Sequence, residues 1–293
     1  MLATHGRYGY SPITQRPAYH WPGQKGLAVY VAVGIEEYVF GAGLTENLLP
    51  GVPQPDLVNT AWRDYGNRVG AFRLFERFAE FGIRPAILLN TEVYDHAPAL
   101  IEAARAVDAE FVAHGRSNSD SLATMNPQEQ AVYIRSVAER IAREEGRAPA
   151  GWSSPWLAHT EATIDILAAE GFRYIADFRL DDQPVWLRAQ GGRLLAVPYA
   201  LELNDSSTII GRQASAREFA DMIIDEFDEM LAASRRQPLA MSIVVHSFIS
   251  GQPFRLHALS RALAHIAAHR DEVWLAQPGE IVKWIAERPE LAP

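Results

Sequence analysis

The apolar positions along the chain follow two alternating periods. Leu27 to Val33 is an unbroken apolar run, as expected of a strand buried on both faces of a parallel sheet. Gly34 to Asn59 has no period and is rich in Gly and Pro, which predicts a loop long enough to carry function. From Asn67 to Phe81 the residues Val69, Phe72, Phe75 and Ala79 recur at helical spacing, and Gly82 suits the stop. Strands are then predicted at Pro85–Leu89, Glu110–Ala113, Tyr174–Asp177, Met241–Val245 and Glu272–Leu275. Helices are predicted at Ala97–Val107, Pro127–Glu145 with Asn126 as cap, Glu161–Glu170, Ala216–Ala233, Leu256–Ala268 and Pro278–Ala286. Val185–Ala189 and Arg193–Val197 flank Gly191-Gly192 and read as a hairpin.

Strand–helix alternation of this kind predicts a parallel α/β fold. No composition break suggests a linker, so residues 1–293 read as one irregular (β/α) barrel domain, with residues 1–26 as an N-terminal arm. In such barrels the chemistry sits at the C-terminal ends of the strands.

Composition narrows the function. Of 293 residues, 27 are Lys or Arg and 36 are Asp or Glu, so the net charge is 27 − 36 = −9. That is the wrong sign for a general nucleic-acid or anionic-membrane binder. There is no cysteine, which excludes disulfides, thiolate zinc sites and thiol nucleophiles. Met1 to Pro22 lacks the apolar core of a signal peptide, and no run of about 18 apolar residues occurs. The expectation is a cytoplasmic protein with a small-molecule substrate, and neither nucleic acid nor membrane as partner.

Polar groups recur where strands end. Glu36-Glu37 follows the first strand and reads as a general base with a metal ligand beside it, or as solvated loop charge. His114 follows the strand Glu110–Ala113; His-x-x-x-His would be a metal spacing, but position 118 is Asn. His246 follows Met241–Val245 and reads as a site residue or as a core histidine. Phosphate loops and the Gly-x-Ser-x-Gly elbow are missing.

These stations in order resemble the polysaccharide deacetylase superfamily, carbohydrate esterase family four, and within it the allantoinase-like, uricolytic branch. The matching pieces are Trp21-Pro22-Gly23, Glu36-Glu37, Asp64-Tyr65-Gly66-Asn67-Arg68-Val69-Gly70, Asp181-Asp182-Gln183-Pro184-Val185-Trp186, Val197-Pro198-Tyr199 with Asn204-Asp205, Met241-Ser242-Ile243 before His246, and Val273-Trp274. The resemblance implies a distorted (β/α)7 barrel. It makes Glu36 the base and Glu37 the metal-ligand position. His114 fits the second motif, from which Asn118 departs. Ser153 and Trp156 stand where the third motif has arginine and tyrosine, and His246 is the late catalytic histidine. It also suggests a homo-oligomer, a tetramer.

On this resemblance the chain is a hydrolase of a non-peptide carbon–nitrogen bond in a small amide, a cyclic ureide or imide. Glu36, His114 and His246 are the expected catalytic residues. Arg68, Trp156, Asp182, Asp205 and Trp186 are the expected substrate contacts, with Trp62, Trp156 and Trp186 walling a flat ring. No cofactor is expected. A divalent metal such as zinc, if held, would sit weakly on Glu37, His114 and Asn118, because an amide is a poor ligand. Two alternatives are an N-deacetylase of acetylated sugars and a catalytically inactive ligand-binding barrel.

Overall fold

The computed structural model describes residues 4–293; the first three residues of the arm lie outside the described residues. Strand β1 (Leu27–Ile35) is buried along its whole length. Next come α1 (Leu57–Tyr65), a π-helical turn over Gly66–Gly70, α2 (Ala71–Phe81), β2 (Ala86–Leu89), α3 (Val93–His96), α4 (Pro98–Ala106) and β3 (Glu110–Ala113). After them come α5 (Pro127–Glu145), β4 (Gly151–Trp152), α6 (Glu161–Ala169), β5 (Tyr174–Ile175), β6 (Val185–Ala189) and β7 (Gly192–Ala196). The chain ends with α7 (Ala216–Ala233), β8 (Leu239–His246), α8 (Pro253–Ala268), β9 (Val273–Leu275) and α9 (Pro278–Ala286).

One curled sheet carries the strands in the order β6-β7-β5-β4-β3-β2-β1-β8, with β9 beside the start of β1. Every pairing is parallel except the β6–β7 hairpin. The free edge of β8 is covered by the chain after β7: Asn204 bridges Val244, and Val244 N donates to Leu203 O at 2.9 Å. That patch gives the barrel its irregular seam. The fold is the distorted barrel that the alternation and the resemblance imply.

The register positions the site. Ile35 lies opposite Leu89, Leu89 opposite Ala113, Ala113 opposite Trp152, and Gly34 opposite His246. The strand ends are therefore level, and the residues just beyond them, Glu36, Asn90, His114 and Ser153, form a row around one mouth.

Beyond shifts of a few residues at element ends, two predicted segments change in kind. The predicted loop 34–59 contains the start of α1, capped by Asp56 through Asn59 N at 2.6 Å. Its pattern is inverted: Leu57 and Val58 are exposed while Asn59 and Arg63 are buried. A helix anchored by polar groups has no apolar stripe to detect. The predicted helix 67–81 begins as the π-helical turn, whose Gly70 packs on Ser247 and Gly251 backbone with no room for a Cβ. The arm is built into the barrel. Trp21 is buried beside Tyr19, Trp274 and Trp284, and its indole N–H donates to Leu239 O at 2.8 Å. A fully buried aromatic of this kind contributes roughly 2–3 kcal/mol. No helix among the described residues is long and apolar enough to cross a membrane.

Candidate active site

Glu36 leaves the end of β1 into the mouth, where its side chain is 1% exposed. Its Oε1 lies 3.6 Å from His114 Nε2 and 3.5 Å from His246 Nε2. The three expected catalytic side chains thus converge on one oxygen. Each imidazole is oriented from behind. His114 Nδ1 bonds Ser153 O at 2.8 Å, and since a carbonyl only accepts, Nδ1 carries the proton and Nε2 faces the mouth. His246 Nδ1 bonds Asp205 Oδ1 at 2.6 Å, while Asp205 Oδ2 takes the His246 backbone N–H at 2.9 Å and the Ser250 hydroxyl. Asp205 is fully buried, and both of its oxygens are bonded within this group.

The other oxygen of Glu36 is held too. Tyr38 Oη donates to Oε2 at 2.6 Å, and Asn118 Nδ2 donates to Tyr38 Oη at 2.8 Å. The Tyr38 ring is gripped by the Arg63 guanidinium at 4.8 Å on its face and by Phe248 edge-on. Trp156 Nε1 donates to Asn118 O at 2.6 Å and so anchors that loop. Trp156 and Leu157 both have left-handed backbones, φ 59° and 53°, strain of the kind concentrated at functional sites.

Charge follows from these contacts. Burial acts against ionised Glu36, but His246, His114 and the Tyr38 hydroxyl outweigh it and hold the carboxyl below its usual range. Burial also opposes protonated His246, yet Glu36 and Asp205 outweigh that and push it up to about 9. At neutral pH the resting site therefore holds an ionised carboxylate next to an imidazolium.

Glu37 takes a different environment. Its carboxylate accepts Asn67 Nδ2 at 3.0 Å and lies 3.6 Å from His96 Nδ1; burial raises its pKa. With Arg63, Asp64, Asn67, Arg68 and His96 it lines a cavity of about 500 Å³ that reaches Glu36 and Tyr38. The expected contact Arg68 is exposed on that cavity wall. Trp62 packs on Phe248 behind the mouth.

Two expected contacts lie elsewhere. Asp182 pairs with Arg179, and its carbonyl accepts Ala240 N at 2.8 Å. Six extended residues, about 20 Å, separate Ala240 from His246, so Asp182 does not join the cluster. Trp186 gives its indole N–H to Pro289 O, its backbone N–H to Pro293 O, and its ring face to Arg193. It is taken up by the C-terminal segment. Both residues sit in a motif whose turn ties β6 to the barrel floor, which spacing alone does not reveal.

No family model matches the chain. A Schizosaccharomyces pombe protein named as a polysaccharide deacetylase is 23% identical over 92% of this chain and 89% of its own length. The crystal structure of PuuE allantoinase superposes with a TM-score of 0.85 at 24% identity, covering 96% of this chain and 99% of that one. A Pseudomonas aeruginosa PAO1 structure named as a polysaccharide deacetylase superposes with a TM-score of 0.81 at 25% identity, covering 93% and 95%. The chain is thus similar in sequence to proteins named as polysaccharide deacetylases and shares the fold of these structures. Deacetylases and allantoinases both hydrolyse carbon–nitrogen bonds.

The positions at which the resemblance would put a metal, Glu37, His114 and Asn118, do not fit one here. Glu37 is turned to Asn67 and His96, His114 Nε2 faces Glu36, and Asn118 spends its amide nitrogen on Tyr38. Among the described residues no three His, Asp or Glu side chains are disposed to hold an ion. Sequence reasoning passed over Tyr38, Asn67 and Glu46. Tyr38 was detectable, because residues 36 and 38 of an extended segment face the same side. Glu46 was not. It arrives from the long loop, bonded to Ser206 Oγ at 2.9 Å, beside the residue that orients His246.

Proposed function

We propose that this chain hydrolyses a carbon–nitrogen bond of a small amide, with a cyclic ureide or imide as substrate. The observation that carries the reading is the Glu36–His246 pair, 3.5 Å apart, with ionised base and protonated acid side by side. Glu36 takes a proton from water, the hydroxide adds to the carbonyl carbon, and the imidazolium of His246 protonates the leaving nitrogen as the C–N bond breaks. Proton transfer through such a pair typically contributes 10²–10⁴-fold. The Trp156 backbone N–H, with Arg68, is the proposed donor set for the oxyanion. The likeness to the allantoinase structure supports a ureide.

Deacetylation of an N-acetylated sugar is the second reading, supported by the names of the fungal relative and the Pseudomonas structure. A panel separates the two. Purified protein is assayed on hydantoins, allantoin and succinimide by ring opening, and on chitooligosaccharides by acetate release, with and without zinc. Turnover of a ring compound supports our reading. Turnover of the acetylated sugars alone overturns it, and failure on all with tight ligand binding favours an inactive barrel.

A further inference from the structure

The mouth has two imidazoles, and a buried aspartate stands behind each. Behind His246 it is Asp205, in direct contact. Behind His114 it is Asp177, whose side chain is fully buried and which touches the imidazole only at one remove. His114 Nδ1 bonds Ser153 O at 2.8 Å, and Ser154 N donates to Asp177 Oδ1 at 2.8 Å. That carbonyl and that N–H belong to one peptide unit. The unit is trans, so the two groups point in opposite directions, one to the imidazole and one to the carboxylate. His114, Ser153 and Asp177 follow the ends of the neighbouring strands β3, β4 and β5, so the series of bonds runs sideways along the row at the mouth. The peptide is held in place: Ser153 and Ser154 are fully buried, and Ser153 N donates to Ala113 O at 2.9 Å. Asp177 Oδ2 lies 3.1 Å from His159 Nδ1, which grips the carboxylate from its far side.

Hydrogen bonds in series polarise one another, and a carboxylate as the final acceptor strengthens the series. We propose that Asp177 is a positioning residue of the reaction: through the Ser153–Ser154 peptide it holds His114 in the tautomer with the proton on Nδ1, so that His114 exchanges a proton only at Nε2, on the side of Glu36. The catalytic consequence rests on the hydrolase reading above; the tautomer does not. The other tautomer would set a bare Nδ1 against Ser153 O, two acceptors 2.8 Å apart. It would also give its Nε2–H to Glu36 Oε1, the oxygen left free of Tyr38 to take a proton from water.

The test reads the tautomer of His114 from the ring nitrogen-15 shifts of histidine-labelled protein on the alkaline side of neutrality. Its resonances are those missing from His114→Gln. Wild type should show the proton on Nδ1. Asp177→Ala should lose that preference, and kcat should fall on the order of 10–100-fold with KM nearly unchanged. Asp177→Leu, which fills the site, takes its place if the alanine variant folds poorly. Asp177→Asn keeps an oxygen for Ser154 N–H and should retain the tautomer. A proton still fixed on Nδ1 in the folded alanine or leucine variant overturns the inference, as does a loss in Asp177→Asn equal to that in Asp177→Ala. If wild type hydrolyses none of the amides, the hydrolase reading falls, and the tautomer in these variants still decides whether Asp177 governs His114.

Discussion

Gly34 lies directly opposite His246 in the β1–β8 ladder, and a Cβ on Gly34 would come within 2.6 Å of His246 Cδ2 and 3.0 Å of Glu36 Oε1. The glycine is what lets the acid and the base approach each other. Gly34→Ala should push His246 off its position and lower kcat about 100-fold, the usual result of misplacing a reacting group by about 1 Å. Overpacking should also cost about 1–3 kcal/mol in unfolding free energy, read from denaturant titration. Wild-type kcat in this variant would show that the spacing does not matter.

Glu36→Gln should reduce turnover by about 10²–10⁴ while leaving KM nearly unchanged, since the amide keeps the shape of the carboxylate. Glu37→Gln should be milder, because Glu37 faces Asn67 and His96 rather than the imidazoles of the mouth. Comparable losses in steady-state assays of both would assign Glu37 a direct role.

The pH profile of kcat/KM should be a broad plateau. Its acid limb lies below the ordinary carboxylate value of 4.5, because Glu36 is lowered, and its alkaline limb lies near 9, where His246 loses its proton. Asp205→Asn removes one of the charges that raise His246 and should move the alkaline limb to lower pH. The same linkage affects stability. A histidine raised from 6.5 to about 9 stabilises the fold fully below about 6.5, and this contribution is lost as pH rises through about 9. Thermal melts across that window check the sign.

Tyr38→Phe removes only the hydroxyl that donates to Glu36 Oε2. The carboxylate loses a stabilising donor, so the acid limb should move up while kcat falls about tenfold, the scale of one hydrogen bond to a charged group. An unchanged acid limb would mean that Tyr38 does not set the state of the base.

Zinc affinity should be weak in the wild type and rise in Asn118→His, since an imidazole replaces a neutral amide at the second motif. Calorimetric titration of both proteins with zinc tests this; equal Kd values would show that position 118 has no bearing on metal binding.

Much of the site was legible because strand ends are legible. Glu36, His114 and His246 each follow a short apolar run, and parallel register makes such positions level neighbours. The helices α5, α7 and α9 match their predicted bounds, because caps and apolar stripes are local signals. Helix α1 was hidden because it buries Asn59 and Arg63 and exposes Leu57 and Val58.

By itself the chain determined the strand–helix alternation, the acidic and cysteine-free chemistry, and the three side chains placed at strand ends, all of which depend on residues close together in sequence. Tertiary structure alone decided the remainder. Asp205 reaches His246 across 41 residues, Asn118 reaches Tyr38 across 80, and Asp182 and Trp186 are drawn off to other partners. Such pairings depend on how the barrel closes and on which buried polar groups must find partners, and neither leaves a periodic trace in the sequence.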